Sequence, residues 1–387
     1  MSRRILIVGA SAAGVAAAET LQRLAPEREV VLLGDEPTLA HDRPPLSKQV
    51  LEGAWTPEQA ELLPPFRREA FKAELILGKR ATAADLDRRE VSVDDGSTLA
   101  YEHLVVATGV RPRTLAGRMP EGVRVLRHLA DCLALRAAMQ SCGESRLVII
   151  GGGFIGLEVA ATARKLGVSV TVVEPAPGTL ALRMGQQAAT RLIDLHVERG
   201  VDFRFNIGVS GYLADANNRV RGVELTDGTT IEASVVLVAI GCTPNVEWLK
   251  DSGLDLTNGV VCDEFCRAAP GVWAAGDVAS WRHVSLGRHV RVEHRLNASE
   301  QGAAVAANIV GPLQPYVPTP FFWSDQYGIR VQLAGGIHVD AEETVEQLNE
   351  GSYLHTFRSE GRLVGVLGWN AAKAMMPLRR ELAAASH

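Results

Sequence analysis

The chain has few cysteines, and none of them forms a redox or metal-binding motif. Only five occur in 387 residues, an odd number without a CxxC pair: Cys132, Cys142, Cys242, Cys262 and Cys266. A disulfide scaffold is therefore excluded, and we predict reduced thiols in a cytoplasmic protein without a metal site. Because no cysteine precedes Cys132, the N-terminal region contains no thiol.

Strong charge and long apolar runs are also missing. Charged residues make up 22% of the chain and the formal net charge is -5, so we expect no nucleic-acid partner on electrostatic grounds. No apolar run reaches the roughly 20 residues of a membrane-spanning helix, so we expect no membrane. The N-terminal stretch has features of a signal peptide, but cleavage near Ala16 would destroy a glycine turn, so we predict that it is retained. The chain length of 387 residues predicts two or three domains.

A strand, a glycine turn, a helix and a second strand follow one another at residues 146–177. Gly151 permits the tight turn, Gly153 lets the backbone approach a pyrophosphate, and Gly156 lets the helix pack on the strand. The pattern predicts a dinucleotide at the N-terminus of this helix. Glu174 can accept a hydrogen bond from a ribose 2′-OH and would repel a 2′-phosphate, which favours NAD over NADP. The alternative is a βαβ unit whose glycines serve packing alone.

The N-terminus repeats this motif in weaker form. A predicted strand is followed by Gly9, Ser11 and Gly14, then by a helical pattern and a second strand leading to Asp35. Ser11 replaces the middle glycine and brings a hydroxyl to the pyrophosphate. Each half then continues through an Asp-Gly hairpin to a final strand ending in glycine, at Gly109 in the first half. The duplication predicts two dinucleotide-binding modules.

This arrangement resembles the two-dinucleotide flavoproteins of the glutathione reductase fold, in which a second module is inserted in the first. The resemblance implies an α/β fold with two Rossmann-like domains, one inserted in the other, and a small C-terminal α+β domain. The implied boundaries are 1–111 and 245–320 for the FAD-binding domain, 112–244 for the NAD-binding domain and 321–387 for the C-terminal domain. Asp277 ends the segment where the first module resumes and inherits a contact with the flavin ribityl chain; a helix N-cap is the alternative.

One segment narrows the resemblance. Asp42–Lys48, DRPPLSK, resembles the signature of ferredoxin reductases that serve oxygenase systems, and Ser47 or its neighbours are predicted to cap a helix that carries Lys48. Two positions depart from that pattern: Arg295, where many relatives have tryptophan, and Gly178, where an arginine often occurs. Further matches are ATG at 107–109, GGGFIGLE at 151–158, GCTPN at 241–245, EHRLNASEQG at 293–302 and FWSDQYG at 322–328.

The resemblance implies an FAD-dependent NADH:ferredoxin oxidoreductase. Hydride would pass from NADH to FAD, and electrons would leave singly to a [2Fe-2S] ferredoxin that supplies a P450 or Rieske oxygenase. Without a redox cysteine, an acceptor outside the chain is required. The alternatives are a rubredoxin reductase, an NADH oxidase, or a redox-sensing binding flavoprotein similar to apoptosis-inducing factor.

The resemblance also assigns the site. Lys48 and Glu158 are the predicted catalytic pair beside the isoalloxazine, where a cation favours negative charge on the reduced ring; a surface glutamate and a solvated lysine are the alternatives. Trp323 would cover the flavin edge, with Asp325 and Gln326 near its pyrimidine side, unless Trp323 serves packing alone. The predicted cofactor-binding residues are Gly9, Ser11, Ala13, Gly14, Asp35, Arg43, Lys48, Ala107, Thr108, Gly109, Arg111, Gly151, Gly153, Phe154, Ile155, Gly156, Glu158, Glu174, Arg183, Gly241, Gly276, Asp277 and Trp323. A predicted basic patch for the ferredoxin comprises Arg67, Arg68, Arg282, Arg288, Arg291 and Arg295.

Overall fold

The computed structural model describes residues 3–141, 143, 146–337 and 341–385. Its strands are β1 (Arg4–Val8), β2 (Glu29–Gly34), β3 (Glu74–Leu77), β4 (Ala81–Asp85), β5 (Glu90–Val93), β6 (Thr98–Ala100), β7 (His103–Val106), β8 (Val110–Pro112), β9 (Val123–Arg124), β10 (Arg146–Ile150), β11 (Ser169–Glu174), β12 (Val201–Phe205), β13 (Val209–Ala214), β14 (Val220–Leu225), β15 (Thr230–Glu232), β16 (Val235–Val238), β17 (Cys242–Pro244), β18 (Val260–Cys262), β19 (Arg267–Ala269), β20 (Val272–Ala274), β21 (Ala279–His283), β22 (Arg288–Val290), β23 (Phe321–Gln326), β24 (Ile329–Gly335), β25 (Glu342–Asn349), β26 (Ser352–Ser359) and β27 (Arg362–Trp369). Its α-helices are α1 (Ala12–Leu24), α2 (Gln49–Glu52), α3 (Pro65–Ala70), α4 (Leu129–Ser141), α5 (Phe154–Lys165), α6 (Gly178–Met184), α7 (Gln186–Glu198), α8 (Arg295–Val310) and α9 (Ala372–Ala385).

The N-terminal glycine motif lies at the centre of the first sheet, whose strand order is β3-β2-β1-β7-β20-β19. β1 pairs in parallel with both β2 and β7. The side chains of β1 from Ile5 to Val8 are apolar and buried because both faces of the sheet are covered. β20 pairs with β7, although the strands of a second sheet lie between them in the sequence. The second module is therefore inserted in the first, as the sequence predicts.

The second glycine motif lies at the centre of a separate parallel sheet with the order β12-β11-β10-β16-β9. Ile149, Val172 and Leu237 lie on its three central strands and are fully buried. The predicted strand, helix and strand of this motif correspond to β10, α5 and β11, and so the α/β fold class is confirmed.

Two short antiparallel strands, β8 and β17, connect the two sheets. The Thr108 hydroxyl donates to the carbonyl of Asn245 at 2.8 Å, and the Asn245 amide donates to the carbonyl of Thr108 at 2.9 Å. The chain therefore enters and leaves the second module through one hydrogen-bonded ladder.

Helices α1 and α8 pack closely because Gly302 has no side chain. A Cβ at Gly302 would lie 2.2 Å from the carbonyl oxygen of Ala13. Gly276 packs against the same residue, since its Cβ would lie 3.0 Å from that of Ala13, and its amide donates to Gln301 at 2.9 Å. The packing therefore brings Asp277 to the N-terminal end of α1.

The C-terminal segment forms an antiparallel sheet, β23-β24-β27-β26-β25, with α9 packed on β24 and β27. The sequence predicts three strands here, at residues 330–334, 353–358 and 363–369, and a helix from Ala371 towards Ala385; all four are present, as β24, β26, β27 and α9. The sequence did not indicate β23 or β25. β25 is mostly exposed and polar, so it lacks the alternation that identifies a half-buried strand. Within the described residues, no helix combines the length and the apolar character that crossing a membrane would require.

The proline-rich segment differs from its predicted form. Pro44–Ser47 forms a 3-10 turn, and Lys48 takes the N-cap position before the short helix α2. The prediction that Ser47 caps a helix carrying Lys48 is therefore wrong. The Ser47 side chain contributes no cap because it bonds to the carbonyl of Pro44 at 3.3 Å and to Glu158 at 2.5 Å.

Candidate active site

The first glycine turn is shaped by contacts within the chain. Gly9 has a φ of +119°, and a Cβ there would lie 2.1 Å from the carbonyl oxygen of Ala107. A Cβ at Gly14 would lie 1.9 Å from the carbonyl oxygen of Gly9. Ser11 occupies the N-cap of α1 without a side-chain bond to its own helix. The turn thus presents a helix N-terminus and an adjacent hydroxyl, a combination suited to an anion.

The three glycines of the second turn differ in function: two are needed for packing within the chain, and one is not. A Cβ at Gly151 would lie 2.4 Å from the carbonyl oxygen of Ala239, and one at Gly156 would lie 2.3 Å from that of Gly151. At Gly153, by contrast, no described atom outside its own turn lies within 4 Å of the added carbon. Packing alone therefore accounts for two of the three glycines, whereas the open space at Gly153 fits a phosphate approaching the backbone.

Glu174 lies against the second turn. Its carboxylate accepts a hydrogen bond from the amide of Gly152 at 2.7 Å and another from the amide of Ala176 at 2.7 Å. The side chain is held at the end of β11, beside the N-terminus of α5, where the sequence predicts it. Its contact with a ribose remains a prediction.

The acidic position of the first module is offset by one residue. Val8 pairs with Leu33, and Ile150 pairs with Val173, so Gly34 rather than Asp35 corresponds to Glu174. A Cβ at Gly34 would lie 2.6 Å from that of Ala10, which shows why a glycine is needed there. Asp35 follows in the exposed loop, and its contact with the cofactor stays a prediction.

Two arginines form a corner near the end of β20. Arg127 donates to Asp277 at 3.1 Å, with the two side chains 13% and 14% exposed. The Arg127 Nε is buried and has no hydrogen-bond partner among the described residues. Burial, together with the charge of Arg127, lowers the pKa of Arg43 to about 10. Asp277, Glu36 and Asp35 all act on Arg43, so the corner carries no excess of positive charge. The unpartnered Arg127 Nε is a donor suited to an anionic group such as a pyrophosphate, so the residues fit the predicted FAD.

The remaining predicted cofactor residues have varied surroundings. Arg111 bonds across the connecting strands to the Asn245 side chain at 3.1 Å and also to Glu247. Arg183 is exposed near the end of α6. Phe154 begins α5 and packs against Phe322, with ring centroids 4.3 Å apart. Ala13 is buried in α1, and Ile155 is 48% exposed. Gly109 and Gly276 have positive φ values. A Cβ added at Gly241 would meet no described atom within 4 Å.

Lys48 and Glu158 meet in a partly enclosed site. Their Nζ and Oε2 atoms are 2.6 Å apart, and the side chains are 11% and 8% exposed. Because α5 begins at Phe154, Glu158 lies at the start of the second turn of that helix. The readings as a solvated lysine and a surface glutamate are therefore wrong. Lys48 also lines a cavity of about 440 Å³.

Glu158 receives three hydrogen bonds at its two oxygens. Oε2 accepts from Lys48 and from the Ser47 hydroxyl at 2.5 Å, and Oε1 accepts from the Ser324 hydroxyl at 2.6 Å. Thr162 ties the segment to α5, since its hydroxyl donates to the carbonyl of Ser47 at 2.8 Å. The site is therefore assembled from the proline-rich segment, α5 and β23.

Strand geometry separates the side chains of the WSDQ segment. Successive residues of a strand point to opposite faces, and accordingly Ser324 and Gln326 are buried at 1% and 4% exposure while Trp323 and Asp325 are half-buried. Asp325 pairs with Arg330 at 2.7 Å. Asp325 and Gln326 nevertheless both line the cavity that Lys48 lines, and their position near the flavin pyrimidine stays a prediction. Trp323 stacks with Phe321 on the outer face, with centroids 6.2 Å apart.

The predicted basic patch is largely neutralised by ion pairs. Arg67 pairs with Glu19 at 2.6 Å, and Arg291 pairs with Glu293 at 2.6 Å. Arg68 pairs with Glu61, and Arg295 with Asp42. Two exposed arginines, Arg282 and Arg288, remain on the β21–β22 hairpin.

Comparison with known protein families identifies the fold. Residues 3–302 match the model described as pyridine nucleotide-disulphide oxidoreductase, and residues 321–387 match the model described as reductase C-terminal. The chain belongs to the pyridine nucleotide-disulphide oxidoreductase family. Membership confirms the predicted flavoprotein superfamily, the oxidoreductase class and the use of FAD and NADH.

Individual members of the family are similar over nearly the whole chain. The ferredoxin–NAD(+) reductase component of the anthranilate 1,2-dioxygenase system of Burkholderia cepacia is 37% identical over 385 residues, covering 98% of this chain and 94% of that protein. The covalent putidaredoxin reductase–putidaredoxin complex matches with a TM-score of 0.93 and 34% identity, covering 98% of this chain and 92% of that chain. The ferredoxin reductase for the CYP199A2 system from Rhodopseudomonas palustris matches with a TM-score of 0.92 and 33% identity, covering 97% and 93%.

The structure also places near the site residues that the sequence did not indicate. Arg127 follows β9 within the predicted NAD-binding domain, outside every recognised motif. Ser324 and His196 are separated from Glu158 along the chain, and only the fold brings them together. A single arginine or histidine carries no spacing pattern, so no sequence signal identified these residues.

Proposed function

We propose that this chain is an NADH-dependent, FAD-containing reductase that delivers electrons singly to a [2Fe-2S] ferredoxin of a P450 or Rieske oxygenase system. The observation that carries the proposal is the enclosed Lys48–Glu158 pair in a chain whose N-terminal region has no thiol. Dioxygenase-system and putidaredoxin reductases are similar to the chain over most of its length. Bound FAD would supply hydride acceptance from NADH and one-electron release.

The described thiols do not compete for these electrons. Cys132, Cys242, Cys262 and Cys266 are free, and Cys142 lies outside the described residues. Burial raises the pKa of Cys132 to about 12 and that of Cys242 to about 11, so both are protonated and unreactive near neutral pH. Among the described cysteines, this supports an electron acceptor outside the chain. Reduced thiols also support a cytoplasmic location, which we include in the proposal.

The residues have distinct proposed roles. Arg43, Arg127 and the first glycine turn would hold the FAD pyrophosphate, and Asp277 the ribityl chain. The second turn and Glu174 would hold NADH. Lys48, kept in place by Glu158, would present its cation to the reacting end of the flavin. This assignment retains the proposed FAD-binding domain at 1–111 and 245–320, the NAD-binding domain at 112–244 and the C-terminal domain at 321–387.

An acceptor assay tests the proposed function. The FAD-loaded protein should reduce a [2Fe-2S] ferredoxin with NADH much faster than it reduces rubredoxin or oxygen. Alkylation of accessible thiols should leave the rate unchanged, because the proposed mechanism passes no electrons through a cysteine. Faster turnover with rubredoxin or with oxygen alone would contradict the ferredoxin assignment. A stable NADH-reduced complex without turnover by any acceptor would instead support the binding flavoprotein.

Nucleotide preference should depend on Glu174. Replacing it with alanine removes the acceptor for a 2′-OH and the repulsion of a 2′-phosphate, so the ratio of kcat/KM for NADH to that for NADPH should fall at least about tenfold. The measurement is steady-state reduction of an artificial acceptor with each nucleotide. Asp35→Ala is the matched control, since it alters the first module and should leave the ratio unchanged. An unchanged ratio in Glu174→Ala would exclude the ribose contact.

A further inference from the structure

A chain of buried polar side chains extends from Glu158 into the second module. Ser324 accepts from the Gln326 amide at 2.9 Å, Gln326 Oε1 lies 2.6 Å from His196 Nε2, and His196 Nδ1 lies 3.2 Å from the Tyr327 hydroxyl. His196 is fully buried in α7, and Gln326 and Ser324 are nearly so. Tyr327 lines the same cavity as Lys48, so both ends of the chain reach one space.

The charge of Glu158 determines the position of every proton in this chain. A carboxylate only accepts, so the Ser324 hydroxyl must donate to it and can accept only from the NH₂ of Gln326. The Gln326 oxygen then faces His196, whose Nε2 must carry a proton. Burial lowers the pKa of His196 to about 4, so the ring is neutral and Nδ1 accepts from the Tyr327 hydroxyl.

The turn that carries Tyr327 points to a role for its side chain. Tyr327 and Gly328 connect β23 to β24 with φ values of +52° and +78°. Two-residue turns with positive φ at both positions favour Asn-Gly, and a bulky residue is disfavoured in this conformation. The backbone thus accommodates a strained tyrosine whose hydroxyl completes the chain.

We propose that Tyr327, His196, Gln326 and Ser324 are positioning residues that hold the Glu158 carboxylate against Lys48 through hydrogen bonds all donated towards that carboxylate. The role rests on the proposed function of the Lys48–Glu158 pair. The amide of Gln326 interrupts any proton relay, so the chain orients Glu158 without conducting a proton.

Reversing the direction of the hydrogen bonds at Gln326, the middle of this series of side chains, tests the proposal. In Gln326→Glu the new carboxylate accepts from both neighbours, so Ser324 turns away from Glu158 and His196 gains a second proton. Nitrogen-15 NMR of histidine-labelled protein, with and without FAD, should show the wild-type His196 protonated at Nε2 alone and the variant protonated at both nitrogens. The rate of flavin reduction by NADH in stopped-flow experiments should fall roughly tenfold, with the KM for NADH changed less than twofold.

A milder variant keeps the test decisive if Gln326→Glu does not fold. Tyr327→Phe retains the ring, which packs edge-on against His196 at 4.9 Å, and removes only the terminal donor. It should leave His196 protonated at Nε2, because Gln326 still accepts there, but shift the Nδ1 signal through the lost hydrogen bond and slow flavin reduction two- to threefold. Tyr353→Phe is the matched control, because Tyr353 packs under Arg191 and lies outside the chain.

The outcomes separate this proposal from the proposed function. A wild-type His196 protonated at Nδ1, or an unchanged Nδ1 signal and reduction rate in Tyr327→Phe, would overturn the positioning chain. Failure to reduce any ferredoxin, with the predicted tautomer and flavin-reduction changes intact, would reject only the electron acceptor. The His196 signal can be assigned by its loss in His196→Asn.

Discussion

Replacing Lys48 with methionine is expected to slow NADH-driven flavin reduction about a hundred-fold, the size of effect typical for removing one preorganised charged donor. The same change should lower the free energy of unfolding by about 3 kcal/mol, because it leaves the Glu158 carboxylate buried without its cation. Ser47 and Ser324 still donate to that carboxylate, which limits the loss. Stopped-flow reduction and urea unfolding of the flavin-loaded protein measure the two effects.

An exposed ion pair nearby provides the control. Lys165 pairs with Glu52 at 2.5 Å, but the lysine side chain is 65% exposed, so Lys165→Met should change stability by less than about 1 kcal/mol. The double variant Lys48→Met/Glu158→Gln removes both charges and should recover part of the stability lost in Lys48→Met. Strictly additive losses would show that the two buried side chains do not interact energetically.

Replacing Gly153 with valine should weaken NADH binding about a hundred-fold while the protein still folds and binds FAD. The added side chain enters space that the described chain leaves open, and its φ of -76° is accessible to any residue. The clash therefore arises only when a dinucleotide approaches the backbone. Isothermal titration with NAD(+) gives the affinity, and the flavin absorption spectrum confirms FAD loading.

Gly151→Val is the matched comparison in the same turn. Its Cβ would lie 2.4 Å from a backbone oxygen at a φ of +108°, so we expect the second module to be destabilised by several kcal/mol irrespective of ligand. Equal loss of thermal stability in Gly151→Val and Gly153→Val would contradict this division between a glycine for packing and a glycine for ligand approach.

The sequence predicts those parts of the fold that depend on local geometry. The strand, turn and helix at residues 146–165 are readable because apolar periodicity changes at a glycine with a defined steric role. The return of the chain to the first sheet at β20 follows from the resemblance to flavoproteins in which one module is inserted in the other, not from a local pattern. Even so, the acidic position of the first module is displaced by one residue, because Gly34 must accommodate Ala10.

The site depends on contacts that local patterns do not encode. Resemblance paired Lys48 with Glu158, but Ser324 reaches Glu158 only because β23 packs beside α5. β23 itself escaped prediction because its segment was interpreted as a motif and not as a strand. Arg127 and His196 act through their burial, a property that a single side chain in an unaligned sequence does not reveal.

The paired crossing strands β8 and β17 also constrain how the molecule can move. Because the outgoing and returning segments are bonded to each other, with Thr108 and Asn245 bracing one end, neither can bend alone. Any rotation of one sheet relative to the other must therefore bend both segments together. Separation of the two modules for nucleotide exchange would then follow one preferred axis, and closure would return the two glycine turns to the same alignment.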